Sequence, residues 1–385
     1  MNEKSLYIHI PFCISKCRYC DFFSEPVSEV SGKYTDALIN ELTFRLKNEK
    51  SLRSVYIGGG TPSLLSEKQL KLIAGLVIPL NPHEFTIEVN PDDVTKEFLS
   101  VLAECGVSRL SCGIQSLNNK CLEFCKRRAK REQVIKALEL LNRFWQGDLS
   151  LDLISALPYE TEESFLEGLE ILCRSKADHI SLYSLTIEEE TPFGKMLSSG
   201  ELDYDFEKAD EMWLKGRDFL EAHGFSQYEV SNFCRKEKES IHNLAYWNHQ
   251  NYIGCGSGAT GTFYNTDGTA FRWTNTTHIP EYINFWNGNS SGNEPVVSEN
   301  LDRETEVFEF FMMGLRKLSG VSRNHFISLF NTALPESVEK QFQAWRERGL
   351  SEIETCNGDV IYRLNKKGIL LLNRFLSELE LPEKI

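Results

Sequence analysis

Three cysteines follow the first strand-like segment of the chain, and their spacing could hold a metal cluster. Cys13, Cys17 and Cys20 form a Cys-x3-Cys-x2-Cys pattern within one short loop. Three thiolates in a tight loop can ligate three irons of a cubic iron–sulfur cluster, since cysteine thiolates normally hold such clusters. The fourth iron would stay open, and an open coordination position makes a metal site reactive rather than structural. The triplet therefore predicts a 4Fe–4S cluster that binds a further ligand.

Two other chemistries are compatible with the triplet, although its surroundings disfavour both. A zinc ion would need a fourth protein ligand, for which Asp21 is the adjacent candidate, and zinc sites usually pair cysteines in two separate clusters. A disulfide with one spare thiol would suit a secreted protein. The segment Met1–Ser5 has no signal-peptide character, so the 11 cysteines are expected to stay reduced in the cytoplasm. Most of the remaining cysteines are expected to be small buried hydrophobes.

Composition limits the classes of function that the chain can have. It has 385 residues, of which 41% are hydrophobic, enough for a large core and an accessory domain. No run of about 20 apolar residues is present, so no membrane-spanning helix is predicted. A net charge of −14 disfavours nucleic-acid binding, which needs Lys and Arg to displace counterions from phosphate. The basic run at 126–131 is interpreted as a solvated loop entering a helix, with Arg127 as an exception.

Strands and helices alternate through the first half of the chain, and this order predicts how the cysteines are positioned. Alternating apolar segments predict strands, and helical periodicity fills the gaps between them. Successive βα units favour an α/β fold in which six parallel strands curl as a partial barrel. The predicted strands are Leu6–Ile10, Ser54–Ile57, Glu84–Val89, Arg109–Ile114, Leu149–Ile154 and His179–Leu185. The predicted helices are Tyr34–Leu46, Glu67–Leu76, Thr95–Glu104, Glu132–Phe144 and Thr161–Cys173.

The second half of the chain has a different pattern. An acidic helix over Phe206–His223 precedes a glycine-, asparagine- and aromatic-rich stretch over Tyr228–Asn293. From Leu301 onward, the order of a helix, a strand pair and a helix predicts a small winged-helix-like domain. We therefore expect a core domain over residues 1–235, an accessory α+β region and linker over 236–300, and a C-terminal domain over 301–385.

Polar and glycine-rich motifs follow the predicted strands at their carboxyl ends, where parallel barrels build their active sites. The glycine triplet 58–60 would let backbone N–H groups approach a polar ligand closely. Glu88 alternates into the barrel and needs a cationic or hydroxyl partner there. Arg127 and Asp152 suit a carboxylate and an ammonium or ribose group. Each residue alone could be structural, but together with Gln115 they predict a pocket for a zwitterionic nucleoside.

These motifs resemble those of radical S-adenosylmethionine (radical SAM) enzymes. More narrowly, they are similar to the oxygen-independent coproporphyrinogen III oxidase (HemN) family and its HemW branch. The resemblance extends over nearly the whole chain, including the C-terminal region. It is carried by Tyr7–Cys20, Gly58–Pro62, Glu88–Pro91, Gly113–Ser116, Asp152–Pro158 and Tyr183–Leu185.

The resemblance implies two cofactors. Cys13, Cys17 and Cys20 would bind a 4Fe–4S cluster, and the open iron would take the amino and carboxylate groups of S-adenosylmethionine. Reductive cleavage would then give methionine and a 5′-deoxyadenosyl radical, with electrons from a flavodoxin or ferredoxin. The number of S-adenosylmethionine molecules stays open. The implied cofactor-binding residues are Tyr7 (beside the cluster), Gly59, Gly60, Thr61, Glu88, Gln115, Arg127 and Asp152.

Two features point to the HemW branch, which is regarded as a group of heme chaperones. Phe22 stands where the enzyme of this family, the oxygen-independent coproporphyrinogen dehydrogenase, has a further cysteine. This difference argues against oxidative decarboxylation of coproporphyrinogen. His242–Trp247 matches the His-Asn-x-x-Tyr-Trp motif of the branch. His242 could be an axial heme ligand, or it could be hydrogen-bonded in a packed loop.

The resemblance also implies a place in the cell and a set of partners. It implies heme as a third cofactor, contacted by the 236–300 region, and a heme-accepting protein in the cytoplasm, within porphyrin biosynthesis. No nucleic-acid partner is expected, and peripheral contact with a membrane stays open. The alternative is an enzyme, either the coproporphyrinogen dehydrogenase or another radical SAM enzyme that acts on a tetrapyrrole.

Overall fold

The computed structural model describes residues 3–289 and 292–381, so the ends of the predicted first and last domains lie outside the described residues. The described strands are β1 Lys4–Ile10, β2 Phe12–Cys13, β3 Glu25–Pro26, β4 Leu52–Gly59, β5 Glu84–Val89, β6 Arg109–Gln115, β7 Asp148–Ser155, β8 His179–Ser184, β9 Ser226–Gln227, β10 Asn232–Cys234, β11 Tyr252–Cys255, β12 Thr260–Tyr264, β13 Ala270–Asn275, β14 Val296–Leu301, β15 Val321–Ser322, β16 Ser351–Cys356 and β17 Asp359–Leu364. The helices are α1 Gly32–Leu46, α2 Glu67–Val77, α3 Lys96–Glu104, α4 Asn119–Phe124, α5 Arg131–Phe144, α6 Glu162–Arg174, α7 Pro192–Ser199, α8 Phe206–Ala222, α9 Ile241–Trp247, α10 Ile279–Trp286, α11 Arg303–Gly314, α12 Arg323–Phe330, α13 Glu336–Glu347 and α14 Leu372–Ser377.

A single large sheet positions the site. Within the described residues its strand order is β14-β13-β12-β11-β1-β4-β5-β6-β7-β8-β10-β9. The six strands from β1 to β8 in this order pair in parallel. Each crossover helix moves the chain one strand along, as expected for right-handed βα connections. The predicted α/β class with a six-stranded partial barrel is confirmed.

Side-chain alternation along the strands separates the hydrophobic core from the barrel interior. Leu6, Val55 and Ile87 are fully buried and belong to the main hydrophobic core that the outer helices cover. Their neighbours in the chain, Tyr7 and Glu88 among them, face the opposite side, because successive side chains of a strand alternate. The polar residues of the parallel strands therefore meet inside the barrel.

Local capping explains why the outer helices begin directly after their loops. Ser31, Ser66, Thr95 and Thr161 precede α1, α2, α3 and α6, and each side chain accepts a backbone N–H three residues on. Such caps satisfy donors that a helix start leaves unpaired. The short connections keep each helix close to its strand.

The chain after α8 extends this sheet and then forms a second core. β11 pairs in parallel with β1, and β12, β13 and β14 continue the sheet in antiparallel pairs. These strands fall within the predicted linker 236–300, apart from Leu301 at the end of β14. The second core, between Val307 and Phe375, packs α11–α14 around the sheet β15-β17-β16, and the winged-helix-like order is confirmed. The domain limits stay a prediction. No helix of the described ranges has the length and apolar character needed to cross a membrane.

Candidate functional site

The cysteine loop lies over the carboxyl end of β1 and is closed by a short ladder. Phe12 pairs with Glu25, and the Val27 N–H donates to the Cys13 carbonyl at 2.8 Å. Cys13, Cys17 and Cys20 are all half-buried. The ladder ties both ends of the loop together, and all three cysteines line the same cavity.

The surroundings of the thiols fit thiolate ligands of a cluster. The Thr61 hydroxyl donates to the Cys13 sulfur at 3.4 Å, and an Arg127 N–H donates to the Cys17 sulfur at 3.8 Å. A hydroxyl and a guanidinium both donate to sulfur, and the thiolate is the form of cysteine that binds metal. Cys20 differs, because burial raises the pKa of its thiol to about 11, so metal binding would have to displace the proton. Within the described residues, no three Cys, His, Asp or Glu side chains are already arranged around a metal position.

One cavity brings most of the predicted site residues together. It has a volume of about 530 Å³ and opens beside the cysteine loop. Ten of the twelve predicted site residues line it, and the two that do not are Tyr7 and His242. The ten are Cys13, Cys17, Cys20, Gly59, Gly60, Thr61, Glu88, Gln115, Arg127 and Asp152.

The glycine triplet allows the backbone to pack closely under this cavity. A Cβ on Gly60 would lie 2.5 Å from the Phe12 carbonyl oxygen. Gly59 has a φ of +110°, and a Cβ there would lie 2.5 Å from the His9 ring. Both positions therefore require glycine.

Glu88 and Asp152 place two carboxyl groups in the cavity wall. The Tyr56 hydroxyl donates to Glu88 Oε1 at 2.8 Å, and the Gly59 N–H donates to Oε2 at 3.2 Å. Desolvation raises the pKa of Glu88 to about 7, and repulsion from Asp152 acts in the same direction. Asp152 accepts hydrogen bonds from Ser111 and Ser150, and burial raises its pKa as well. A cationic ligand would relieve both effects, because an opposite charge favours the ionised carboxylate.

Gln115 and Arg127 present polar atoms that lack partners among the described residues. Gln115 ends β6 in a left-handed conformation with a φ of +66°, and its buried Oε1 is unpaired. One Arg127 nitrogen donates to Gly113 and Asn90 at 2.5 and 3.0 Å, whereas its Nε is buried without a partner. Unpaired buried polar atoms are rare in proteins. Residues with a strained backbone are found most often at ligand sites. These atoms fit a polar ligand.

Sequence reasoning missed Asn90, Ser111 and Arg128 as lining residues. Asn90 connects two predicted residues, since it accepts from Arg127 and donates to the Thr61 hydroxyl at 3.4 Å. The sequence feature that could have predicted this role is its place, directly after β5, in the Glu-x-Asn-Pro motif.

His242 lies in α9, at the amino end of the barrel and away from the cavity. It is 1% exposed, and its Nδ1 hydrogen-bonds with the Ser54 hydroxyl at 2.9 Å. Its Nε2 hydrogen-bonds with the Tyr246 hydroxyl at 3.1 Å. Burial lowers the pKa of His242 to about 3, so the ring is neutral. Axial ligation of heme by His242 stays a prediction, and it would require a ring nitrogen to give up its present hydrogen bond and become accessible.

Tyr7 is placed inside the barrel and does not line the cavity beside the cysteines. Its hydroxyl hydrogen-bonds with His9 Nδ1 at 2.8 Å, and its ring stacks on Tyr56. The reason is its place in the middle of β1, several residues before the strand ends.

Comparison with known proteins extends the likeness beyond the site. The profile of the Radical SAM superfamily matches residues 7–172. "Heme chaperone HemW" of Bacillus subtilis (strain 168) is 34% identical, with 98% of this chain and 100% of that protein covered. "Heme chaperone HemW" of Escherichia coli (strain K12) is 33% identical over 87% of this chain and 87% of that protein.

A solved structure shows the same fold. Coproporphyrinogen III oxidase (HemN) from Escherichia coli, described as a radical SAM enzyme, is similar with a TM-score of 0.79. The alignment covers 98% of this chain and 90% of that one, at 19% sequence identity. The chain therefore has the same fold as HemN, whereas its sequence is similar to the HemW proteins over most of its length. This chain belongs to the HemW family of the radical SAM superfamily.

Proposed function

We propose that this protein is a heme chaperone that binds a 4Fe–4S cluster and S-adenosylmethionine and delivers heme to an acceptor protein. The observation that carries the proposal is the single cavity that joins three cysteine thiols to the predicted nucleoside pocket. Support also comes from the relatives of the same family that are named heme chaperones.

Each cofactor has residues that suit it. Cys13, Cys17 and Cys20 would hold the cluster, which supplies the electron for reductive cleavage of S-adenosylmethionine when it is bound. The thiolates would be stabilised by the Thr61 hydroxyl and by the Arg127 guanidinium. The carboxyl groups of the cavity wall suit the ammonium group of S-adenosylmethionine. The unpaired Arg127 Nε can donate to its carboxylate, and the unpaired Gln115 Oε1 can accept from a ribose hydroxyl.

Phe22 favours a chaperone over the dehydrogenase. Its side chain is 69% exposed and lines the cavity mouth. A phenyl ring cannot ligate a metal or undergo the redox chemistry of a cysteine thiol. It does offer an apolar face on which a planar porphyrin can stack. Oxidative decarboxylation of coproporphyrinogen is the alternative function, and the likeness to HemN supports only the fold for it.

The proposal includes partners and a compartment. A heme-accepting protein would receive the cargo, and a flavodoxin or ferredoxin would reduce the cluster. All eleven cysteines lie in the described residues and are free, and most are buried. Free thiols are typical of the reducing cytoplasm, where we place the protein.

An anaerobic heme titration of the cluster-reconstituted protein tests this function through the Soret absorbance. We expect a saturable band with a fixed stoichiometry. Phe22→Asp should weaken heme binding by about tenfold or more, since burying a phenyl ring contributes about 1.5–3 kcal/mol. Phe44→Asp is the matched control, because Phe44 is 49% exposed on α1 and does not line the cavity.

A titration without a specific band would contradict the chaperone proposal. Turnover of coproporphyrinogen with S-adenosylmethionine under reducing conditions would then be the next measurement. Conversion of that substrate would favour the alternative function.

A further inference from the structure

A column of aromatic rings fills the barrel between α9 and the cavity. The ring of Tyr246 meets the ring of His242 edge-on, with centroids 5.0 Å apart. His242 stacks on Tyr56 at 5.0 Å and 29°, and Tyr56 stacks on Tyr7 at 6.2 Å and 30°. The family motif His242–Trp247 thus supplies the lower end of this column.

The upper end of the column holds groups of the cavity and of the cysteine loop. The Tyr56 hydroxyl donates to Glu88 Oε1 at 2.8 Å. The Tyr7 hydroxyl hydrogen-bonds with His9, whose Nε2 lies 2.9 Å from the Phe23 carbonyl oxygen, just beyond the cysteine loop. The column therefore ends on one carboxylate and one loop of the proposed S-adenosylmethionine site.

The lower end of the column is fixed to the same strands. Glu84, the first residue of β5, accepts the backbone N–H groups of Ile241 and His242, both at 3.0 Å. Ser54, near the start of β4, hydrogen-bonds with the His242 ring and donates to Ser5 in β1. Because β5 also carries Glu88 and β4 carries Tyr56, the helix and the cavity share one rigid frame.

We infer that His242 is a positioning residue for S-adenosylmethionine: its ring supports Tyr56 from below and so fixes Glu88 in the cavity wall. The inference rests on the proposed function and assigns the motif to the nucleoside site instead of to the heme iron. Protein interiors are close-packed, so removal of the ring leaves a void into which Tyr56 can move. The Tyr56 hydroxyl would then leave Glu88.

An imidazole suits this position better than another ring. Its two nitrogens satisfy Ser54 on one side and Tyr246 on the other. A phenyl ring would preserve the stacking but leave these buried hydroxyls with fewer partners, and unpaired buried polar groups are destabilising.

The test measures S-adenosylmethionine binding and heme binding on the same cluster-reconstituted variants. We expect His242→Ala to weaken S-adenosylmethionine affinity by about 10- to 100-fold and to alter the change that this ligand produces in the electron paramagnetic resonance spectrum of the reduced cluster. His242→Phe should recover most of that affinity, because it keeps the stacked ring. The Soret stoichiometry should remain that of the wild type in both variants.

A second variant addresses the path through Tyr56. Tyr56→Phe removes only the hydroxyl that holds Glu88, and it should weaken S-adenosylmethionine binding as His242→Ala does. The double variant should be little weaker than either single one, since residues that act through one contact are not additive. His249→Ala is the matched control: this buried histidine follows α9 and contacts Glu306, not Tyr56. It should lower stability and leave S-adenosylmethionine affinity unchanged.

The outcomes separate the inference from the proposed function. Loss of the Soret band in His242→Ala with unchanged S-adenosylmethionine affinity would overturn the inference and return His242 to the heme iron. If His242→Ala does not fold, wild-type S-adenosylmethionine affinity in Tyr56→Phe would overturn it. Absence of heme binding in the wild type would contradict the chaperone proposal alone, because the S-adenosylmethionine titration does not depend on heme.

Discussion

At the scale of single residues, we expect Glu88 to make the binding of S-adenosylmethionine depend on pH. Desolvation raises its pKa to about 7, so in the ligand-free protein the carboxyl is largely protonated below that pH. An ammonium ligand pairs with the carboxylate. We therefore expect S-adenosylmethionine affinity to rise with pH, by up to about tenfold per unit below the pKa, and to level off above pH 7.

The measurement is a series of S-adenosylmethionine titrations from about pH 5.5 to 8.5. Glu88→Gln should bind more weakly and lose the pH dependence, since an amide keeps the shape but cannot ionise. A pH profile in the Gln variant equal to that of the wild type would assign the titration to another group, with Asp152 as the neighbouring candidate.

The same pKa shift also gives a sign for stability. The folded pKa lies above the ordinary value of 4.5, so the folded state holds this proton more tightly than the unfolded state does. The contribution of Glu88 to stability is thus fully present below pH 4.5 and is lost as the pH rises through 7. Above pH 7, the ionised Glu88 therefore lowers the stability of the ligand-free protein. A bound cation would offset this loss, because it favours the ionised carboxylate.

The chemistry of the site could be predicted at this scale, but its depth in the barrel could not. Thiols, carboxyls and glycines at strand ends are residue types whose spacing already indicates a cluster and a nucleoside pocket. Tyr7 and His242 do not line the cavity, and the sequence did not reveal this, because alternation tells which way a side chain faces and not how far along the barrel it lies. Their contacts with cofactors stay predictions. The unpaired Oε1 of Gln115 depends on a left-handed φ that the sequence does not reveal.

At the scale of elements, the turn after β4 joins the glycine triplet to the cysteine loop. Gly60 packs against the backbone of Phe12, immediately before Cys13. We expect Gly60→Ala to lower the free energy of unfolding by about 1–3 kcal/mol. The added Cβ would clash with the backbone of Phe12, which cannot move aside as a flexible side chain could. S-adenosylmethionine binding should weaken with it, as the turn lines the cavity.

Gly75→Ala is the control for this change, measured by the same urea unfolding and ligand titrations. Gly75 lies within α2, and a Cβ there meets nothing within 4 Å. Alanine should stabilise that helix by about 0.5–1 kcal/mol, since glycine is a poor helix former. Equal effects of the two substitutions would show that the turn tolerates a side chain.

Regular βα units are predictable from periodicity, whereas the later strands are not. All six parallel strands appear within a few residues of their predicted limits, because each is a short apolar run between helical segments. β11–β14 were missed, since their glycine- and asparagine-rich sequence lacks clean alternation and their partners are far away in the chain. β11 pairs with β1 across more than 240 residues, as Ser5 with Tyr252 shows. The helix α9 was hidden in the same stretch.

At the scale of the whole molecule, the segment that closes the barrel also contacts the C-terminal core. His249 follows α9 and hydrogen-bonds with Glu306 of α11 at 2.7 Å. The side chains of these two residues are 3% and 1% exposed. The backbones of Glu229 and Lys317 form an isolated antiparallel β-bridge, and the Val230 N–H donates to the Arg316 carbonyl. The two cores therefore meet at this segment of the chain.

Removal of Glu306 tests how far this junction stabilises the molecule. Glu306→Ala should lower the free energy of unfolding by about 3–5 kcal/mol, because it leaves His249 buried without its charged or hydrogen-bonding partner. Glu306→Gln keeps a hydrogen-bonding group and should be milder. The measurement is urea unfolding followed by tryptophan fluorescence, with Glu304→Ala as the control on an exposed position of the same helix. If Glu306→Ala destabilises no more than that control, the buried pair does not hold the two cores together. If it destabilises as expected while S-adenosylmethionine affinity stays unchanged, as expected for His249→Ala, the buried pair stabilises the junction of the two cores without positioning the cavity.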